Sequence, residues 1–196
     1  MIDLNSNDYN AKEGKAIFNG GNAGMVDNVT VSIKRKGPED KEGSPAYKLT
    51  FTDASGAECN TPFWYVDKAT PFASVDELLK KQGTVMKHII HSIYGADVAI
   101  PALPSDAKGF LDGAMKHINE GLKAGGKFRM FANYGTPDYP KEFIQPRSWV
   151  PFMESMSVDI AETRMVAGKN DNLVRVTKDS VGSPSAAAAS LTDDWD

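Results

Sequence analysis

The chain has 196 residues, of which 41% are hydrophobic and 24% are charged, and its formal net charge is −4. These values exclude a globally disordered chain and predict one globular domain that is large enough to bury its own core. The one cysteine, Cys59, excludes an internal disulfide and every cysteine-rich zinc motif. The apolar runs are too short for a transmembrane helix, so we expect no membrane partner. The first residues lack the apolar stretch of a secretory signal, so we expect a reducing, cytoplasmic location.

Alternating apolar and polar residues predict a three-stranded β-meander in the first third of the chain. Residues 28–36, 47–52 and 58–66 follow the period of two that is typical of strands with one buried face. A charged loop over residues 37–45, rich in glycine and proline, separates the first two strands. Three aromatic residues are adjacent in the third strand and cannot share a face, and we expect Trp64 to be the one in the core.

The middle of the chain is predicted to be helical. Ser74 and Glu77 have the spacing of a capping box, and the helix that they begin extends to Tyr94, just before Gly95. A second helix is predicted over residues 106–123, where apolar residues recur at helical spacing.

Strand patterns return after the helices, over residues 127–133 and, more briefly, over residues 156–160 and 172–178. Strands, a helical insertion and strands again predict an α+β fold in which the strands form a small β-barrel with helical insertions, of the OB-fold type. We expect this core to span residues 1–182, and a flexible linker with an acidic tail to span residues 183–196.

The strand over residues 127–133 carries the first indication of function. Its period of two places Lys127, Arg129 and Phe131 on one face. Two cations beside an exposed ring suit single-stranded nucleic acid, because the cations neutralise phosphates and the ring stacks on a base. The alternative is that Phe131 lies in a second core and only the tips of the cations reach solvent.

Further candidates for nucleic-acid contact follow the same chemistry. A segment of interleaved proline, aromatic and basic residues follows this strand, a basic cluster ends the first strand, and two more aromatic residues lie in the third. The residues expected to stack on bases or to meet phosphates, besides the three just named, are Lys34, Lys36, Phe63, Tyr65, Tyr134, Tyr139, Arg147 and Trp149. The prolines could equally produce a packed surface loop whose tyrosines cover the barrel.

The sequence contains no recognisable catalytic machinery. His88 and His91 have a spacing that metal sites use, but no acidic or cysteine partner stands at a suitable distance, so we expect structural roles for them and for His117. Residues 121–127 have the glycine and lysine spacing of a phosphate-binding loop, but Phe128 replaces the Ser or Thr that would hold magnesium. We therefore predict no enzyme, no metal and no cofactor; a metal enzyme using the histidine pair is one alternative.

The end of the chain combines a low-complexity tether with an acidic, aromatic terminus. Residues 183–190 contain only Ser, Pro and Ala and cannot pack a core. Asp193, Asp194, Trp195 and Asp196 then set one large ring among carboxylates, which is typical of a motif that docks its ring in a partner's apolar pocket. The same negative charge could also occupy the protein's own basic groove.

The acidic tail, the basic and aromatic strand Lys127–Phe131 and the segment over residues 134–149 together resemble the single-stranded DNA-binding proteins that bacteriophages encode for replication and recombination. The resemblance covers the overall plan and is not a match motif by motif. It implies an OB-fold core that coats single-stranded DNA without strong sequence preference, in the host cytoplasm. It also implies an acidic tail that recruits replication or recombination proteins.

We therefore expect a non-catalytic single-stranded DNA-binding protein. The alternative class is a structural or assembly protein of a virion that docks through its C-terminal tail and has no affinity for nucleic acid. Self-association and the choice between DNA and RNA stay open, because no residue pattern points to a contact with the 2′-hydroxyl.

Overall fold

The computed structural model describes residues 16–135 and 144–174, which contain six strands and two α-helices. In chain order these are β1 (Gly24–Arg35), β2 (Tyr47–Thr52), β3 (Glu58–Phe63), α1 (Val75–Tyr94), α2 (Ala107–Leu122), β4 (Phe128–Tyr134), β5 (Ile144–Pro146) and β6 (Met153–Ser155). Two short 3-10 helices, Phe18–Gly21 and Ile160–Glu162, lie before β1 and after β6.

The six strands form one antiparallel sheet. β3, β2, β1, β4 and β5 are neighbours in that order, and β6 also pairs with β4. Strand β1 serves both halves of the sheet, because residues 24–29 pair with β4 and residues 30–35 pair with β2. The partner changes where the register shifts, next to Asn28, which has a φ of 60°. A bulge at this point increases the local twist and turns the two halves of the strand apart.

The sheet remains open at its edges. β3 and β5 lie near each other, but no ladder of hydrogen bonds joins them in the described part of the chain. The predicted α+β class is therefore confirmed, whereas closure into a barrel of the OB-fold type is not.

Both predicted helices are present, within one residue of the expected bounds. Ser74 Oγ accepts from the Glu77 amide at 3.3 Å and the Glu77 carboxylate accepts from the Ser74 amide at 2.8 Å, which completes the capping box of α1. The helix ends at Gly95, whose φ of 98° is readily adopted only by glycine. Helix α2 begins at Asp106, whose carboxylate accepts from the Gly109 amide at 2.7 Å.

The core lies between the two helices and one side of the sheet. Helix α1 contacts β6, α2 contacts β1, and the helices pack against each other. Fully buried side chains come from the strands, such as Leu49 and Phe51, and from both helices, such as Ile89 and Ile118. Neither α1 nor α2 combines the length and the hydrophobicity that a membrane-spanning helix requires.

Three expectations from the sequence are wrong here. The strand predicted over residues 156–160 is absent, because β6 ends at Ser155 in a turn and Asp159 caps the 3-10 helix through its carboxylate. Residues 172–174 are not in a strand, and the rest of that predicted strand lies outside the described residues. Trp64 is half exposed, whereas its neighbour Phe63 is the aromatic residue in the core.

Candidate nucleic-acid interface

The face of β4 that the sequence predicts to be exposed is covered. Every residue of β4 except the last is buried, so the strand has no solvent face. The Arg129 side chain is 5% exposed, and its guanidinium donates to Asp27 at 2.7 Å and to Glu154 at 2.8 Å. Glu154 stands directly opposite Arg129 in the β4–β6 register, so β6 itself supplies a counter-charge.

Phe131 and Arg147 form a second buried unit on the same face. The Arg147 guanidinium carbon lies 3.8 Å from the centre of the Phe131 ring, and Phe131 is 3% exposed. Arg147 also donates through Nε and Nη2 to the two carboxylate oxygens of Asp171, at 2.9 and 2.7 Å. The side chains of both charged partners are buried, at 3% and 0% exposure.

The premise of two cations beside an exposed ring on β4 is therefore wrong. The sequence shows only that these residues share a face, and the cover comes from segments further along the chain, namely β6 and residues 158–171. The alternative is correct in that Phe131 is buried, whereas the part of it in which the tips of the cations reach solvent does not hold for Arg129. In this arrangement the Arg147 guanidinium bonds to protein acceptors through all three nitrogens, and the Arg129 guanidinium does so through Nε and Nη1.

The other candidates fall into three groups. Lys34, Lys36 and Lys127 are exposed, and Trp149 is 36% exposed with the Arg147 guanidinium 5.4 Å from its ring. Phe63 is buried, while Tyr65 and Tyr134 are half-buried with their hydroxyls donating to Asp112 and to the Gly21 carbonyl. Tyr139 and the four tail residues Asp193, Asp194, Trp195 and Asp196 lie outside the described residues.

Tyr65 belongs to a polar cluster that joins α2 to the meander. Asp112 accepts from the hydroxyls of Tyr47 at 2.8 Å and of Tyr65 at 2.9 Å, and Arg35 approaches it at 3.5 Å. Burial and donation to the carboxylate raise the pKa of Tyr47 to about 12. Both hydroxyls are thus occupied in holding the helix to the sheet, and the stacking role expected for Tyr65 has to compete with this contact.

An exposed surface that carries both cations and an aromatic ring lies on the side of β1, β2 and β3 that faces away from the core. We call it the outer face of the meander. Strand register places its side chains in three rows, each crossing the three strands. The rows are Lys34–Lys48–Pro62, Ser32–Thr50–Asn60 and Thr30–Thr52–Glu58.

The first row borders a shallow cleft that is rich in positive charge. Lys34, Arg35, Lys36 and Lys48 line it from the strands, and Asp40, Ser44 and Pro45 line it from the β1–β2 loop. The Asp40 carboxylate already accepts from the Gly37 amide at 2.8 Å, an interaction internal to the loop. Among the residues that line the cleft, three lysines therefore stand against one acid on the outer face, because Arg35 belongs to the other side of β1, where it approaches Asp112.

Trp64 provides the aromatic element that sequence reasoning assigned to the core. It follows β3 two residues after Pro62, is 50% exposed, and its indole nitrogen donates to the Gly43 carbonyl at 3.4 Å. The parity of the strand could have revealed this, because Trp64 shares the polar side of Asn60, whereas Phe63 shares the apolar side of Cys59.

The histidines show no common site. His88 Nε2 accepts from the amides of Phe152 and Met153 at 3.1 and 3.3 Å, which fixes β6 to α1. Burial lowers the pKa of His88 to about 4, so the ring is neutral at pH 7 and serves as an acceptor. No group of three or more His, Cys, Asp or Glu side chains suited to a metal ion is found in residues 16–135 and 144–174.

Comparison of the chain with protein-family models, with curated proteins and with solved structures gives no match.

Proposed function

We propose that this protein binds single-stranded DNA, with the strand lying across the outer face of the meander. The observation that carries the proposal is the register of Lys34 beside Lys48 in the row that ends at Pro62, next to the half-exposed Trp64. Cations and a ring on one exposed face are the two elements that sequence-independent binding of single strands requires. The site thus differs from the one expected on β4, although Lys34 and Lys36 belong to both.

The chemistry of the face accounts for weak sequence preference. The lysines neutralise phosphates and release counterions, which every sequence permits. The indole of Trp64 offers a stacking surface, and a stacked base contributes about 1–3 kcal/mol whatever its identity. In the second row the Thr50 hydroxyl already donates to Asn60 Oδ1 at 2.8 Å, so the Ser32 hydroxyl and the Asn60 amide nitrogen are the groups that could bond to the backbone of the DNA strand.

The strand order supports the same location. A long β1 shared by two halves of a sheet, and edges β3 and β5 that approach each other, support our proposal that the sheet is related to a partly open OB-type barrel. Barrels of that type bind oligonucleotides on the face of strands 2 and 3 and on the loop between strands 1 and 2. These elements correspond here to β2, β3 and the loop that lines the basic cleft.

The proposal extends to the partners and setting of the protein. We propose a role in phage DNA replication or recombination in the host cytoplasm, with the tail over residues 193–196 recruiting other proteins through Trp195 and its acids. This part rests on the sequence, because the tail lies outside the described residues.

Titration of a fluorescently labelled oligo-dT with the full-length protein tests the proposal. Anisotropy at several salt concentrations should show binding that weakens as salt increases. Trp64→Ala should lower the affinity by the 1–3 kcal/mol expected of one stacked base. Trp149→Ala is the matched control, because Trp149 is exposed but lies near Arg147 rather than on the outer face. Binding that depends on Trp149 and not on Trp64 would place the strand elsewhere, and no binding at low salt would refute the function.

A further inference from the structure

The turn before α1 displays a phenylalanine ring to solvent. Phe72 is 96% exposed, the highest value for a large apolar side chain in the part of the chain that the structure describes. Pro71 precedes it, the Thr70 amide donates to the Ala73 carbonyl at 2.9 Å, and the Ala73 amide donates to Thr70 Oγ1 at 3.1 Å. These bonds close a tight turn directly before Ser74, the N-cap of α1, so the ring projects from a fixed base.

An open, mainly apolar groove lies along the first half of α1, which this turn precedes. It runs between α1 and the end of β3 and has a volume of about 250 Å³. A cavity of about 150 Å³ already accommodates benzene, so the groove has room for the ring of a phenylalanine. Phe72 of the same chain is not among the residues that line it. The apolar lining consists of Pro62, Phe63, Trp64, Val66, Leu78 and Val85.

We propose that two copies of this chain pair through these features, with Phe72 of each copy inserted into the groove of the other. A two-fold interface needs a surface that is complementary to itself. This surface meets the requirement, because it carries both the projecting ring and a recess that accommodates such a ring. A pair therefore makes two identical contacts and leaves neither ring in water. An unrelated partner that filled the groove would leave Phe72 exposed, so the observations favour a second copy.

The charges along α1 are complementary in the same arrangement. Asp76 is exposed in the first turn of the helix, next to the Phe72 turn, and Lys81 is exposed at the wall of the groove. When the α1 helices of a pair run antiparallel, the Phe72 end of one helix lies over the groove of the other. Asp76 then lies opposite the partner's Lys81, and the pair contains this contact twice. Complementary charges of this kind fix the register of an interface.

Sedimentation velocity of the full chain over a range of concentrations tests the pairing. The wild type should show an equilibrium between monomer and dimer. Phe72→Ala should raise the dissociation constant of the dimer by about 30-fold or more, because truncation of a central aromatic residue has this effect. Ile160→Ala is the matched control, because it truncates another exposed apolar side chain, on the 3-10 helix after β6, and it should leave the constant unchanged.

Two results would refute the pairing. One is an equal dissociation constant for the wild type and Phe72→Ala. The other is a wild type that stays monomeric at every soluble concentration, which would leave the groove to another occupant, such as residues 175–196.

A charge exchange tests the antiparallel arrangement. Lys81→Glu and Asp76→Lys each place like charges opposite one another in a homodimer and should weaken it. Both positions are exposed, so neither change removes a buried contact. An equimolar mixture should form a heterodimer more tightly than either variant forms a homodimer, since each acid then meets a lysine. A mixture that associates no more tightly than the separate variants would contradict the arrangement.

The inference goes beyond the proposed function and does not rest on it. Trp64 borders both the groove and the outer face of the meander, so all the variants leave it unchanged. At concentrations where the wild type is monomeric, Phe72→Ala should bind oligo-dT as the wild type does. Weaker DNA binding by Phe72→Ala with an unchanged dimer constant would make Phe72 a stacking residue and overturn the pairing. Absence of DNA binding by the wild type would refute only the proposed function.

Discussion

Replacing Arg147 with methionine tests most sharply whether this arginine is interior or faces a ligand. In the structure, its guanidinium makes two bonds to Asp171, one to the Val166 carbonyl at 2.9 Å and one to the Pro151 carbonyl at 3.1 Å. Methionine would fill part of the same space above Phe131 and leave the Asp171 carboxylate buried without its counter-charge.

The expected cost follows from that unpaired carboxylate. Removing one partner of a buried ion pair destabilises a protein by about 3–5 kcal/mol. A domain of this size unfolds with a free energy of roughly 5–15 kcal/mol, so the variant should fold but melt lower. With roughly 2–4 °C per kcal/mol for 150–250 residues, the melting temperature should fall by roughly 6–20 °C.

Urea denaturation of the wild type, Arg147→Met and a control gives the comparison. Arg164→Met is the control, because Arg164 is exposed in the same covering segment, and surface changes of this kind usually stay within about 0.5 kcal/mol. The double variant Arg147→Met, Asp171→Asn should recover part of the loss, since it no longer buries a lone charge. Equal stability of Arg147→Met and Arg164→Met, together with weaker DNA binding by Arg147→Met, would refute the buried pair and restore Arg147 as a phosphate contact.

Three further outcomes follow from the core. The pKa of His88 is about 4 in the folded protein and about 6.5 in the unfolded chain, so the unfolded chain binds the proton first as the pH falls. The free energy of unfolding should therefore decrease between pH 6.5 and pH 4, by up to about 3 kcal/mol. In His88→Gln the urea midpoint should depend less on pH than in the wild type, and an equal dependence would contradict this. Asp112→Asn should weaken the hydrogen bonds from Tyr47 and Tyr65 and lower the free energy of unfolding, measured in urea, by about 1–3 kcal/mol. An unchanged free energy would mean that this cluster does not hold α2 to the sheet. Gly121→Ala should cost about 1–3 kcal/mol in thermal melts, because the new methyl carbon would stand 2.5 Å from Ile93 Cγ2. An unchanged melt would show that the side chains of Ile93 and Tyr94 make room without cost.

The sequence predicts local structure in this protein well. Helix α1 is fixed by the capping box of Ser74 and Glu77 and by Gly95, and all of these signals lie within or next to the helix. The strands of the meander follow from their own alternation, and their register places the lysines of β1 and β2 side by side. Each of these features depends on residues that are close in sequence.

The candidate site is predicted less well, because its exposure depends on distant segments. Alternation shows that Arg129 and Phe131 share a face, but the partners of Arg129 are Glu154 and Asp27, at separations of 25 and 102 positions. The Phe131 ring is covered by Arg147, which Asp171 holds from 24 positions further along the chain.

In the third strand the error has the opposite direction, because a residue that we expected in the core, Trp64, is exposed. Because Phe63 and Trp64 are adjacent, they lie on opposite faces, and size alone favours the larger ring for the core. The parity of the strand decides otherwise, because Trp64 shares the polar side of Asn60 and Phe63 shares the buried side of Cys59.

The most direct test of the account is the salt dependence of oligo-dT binding by Lys34→Glu, Lys48→Glu. These lysines are neighbours in the first row of the outer face. The control is Lys116→Glu, Lys123→Glu, which changes the net charge equally at exposed positions on α2 and directly after it. Each phosphate contact with single strands contributes about 0.7 to the slope of log affinity against log salt. We predict that the meander variant loses about 1.4 from this slope and binds far more weakly at low salt, while the control retains the wild-type slope. Equal slopes and affinities in the two variants would contradict binding on the outer face of the meander.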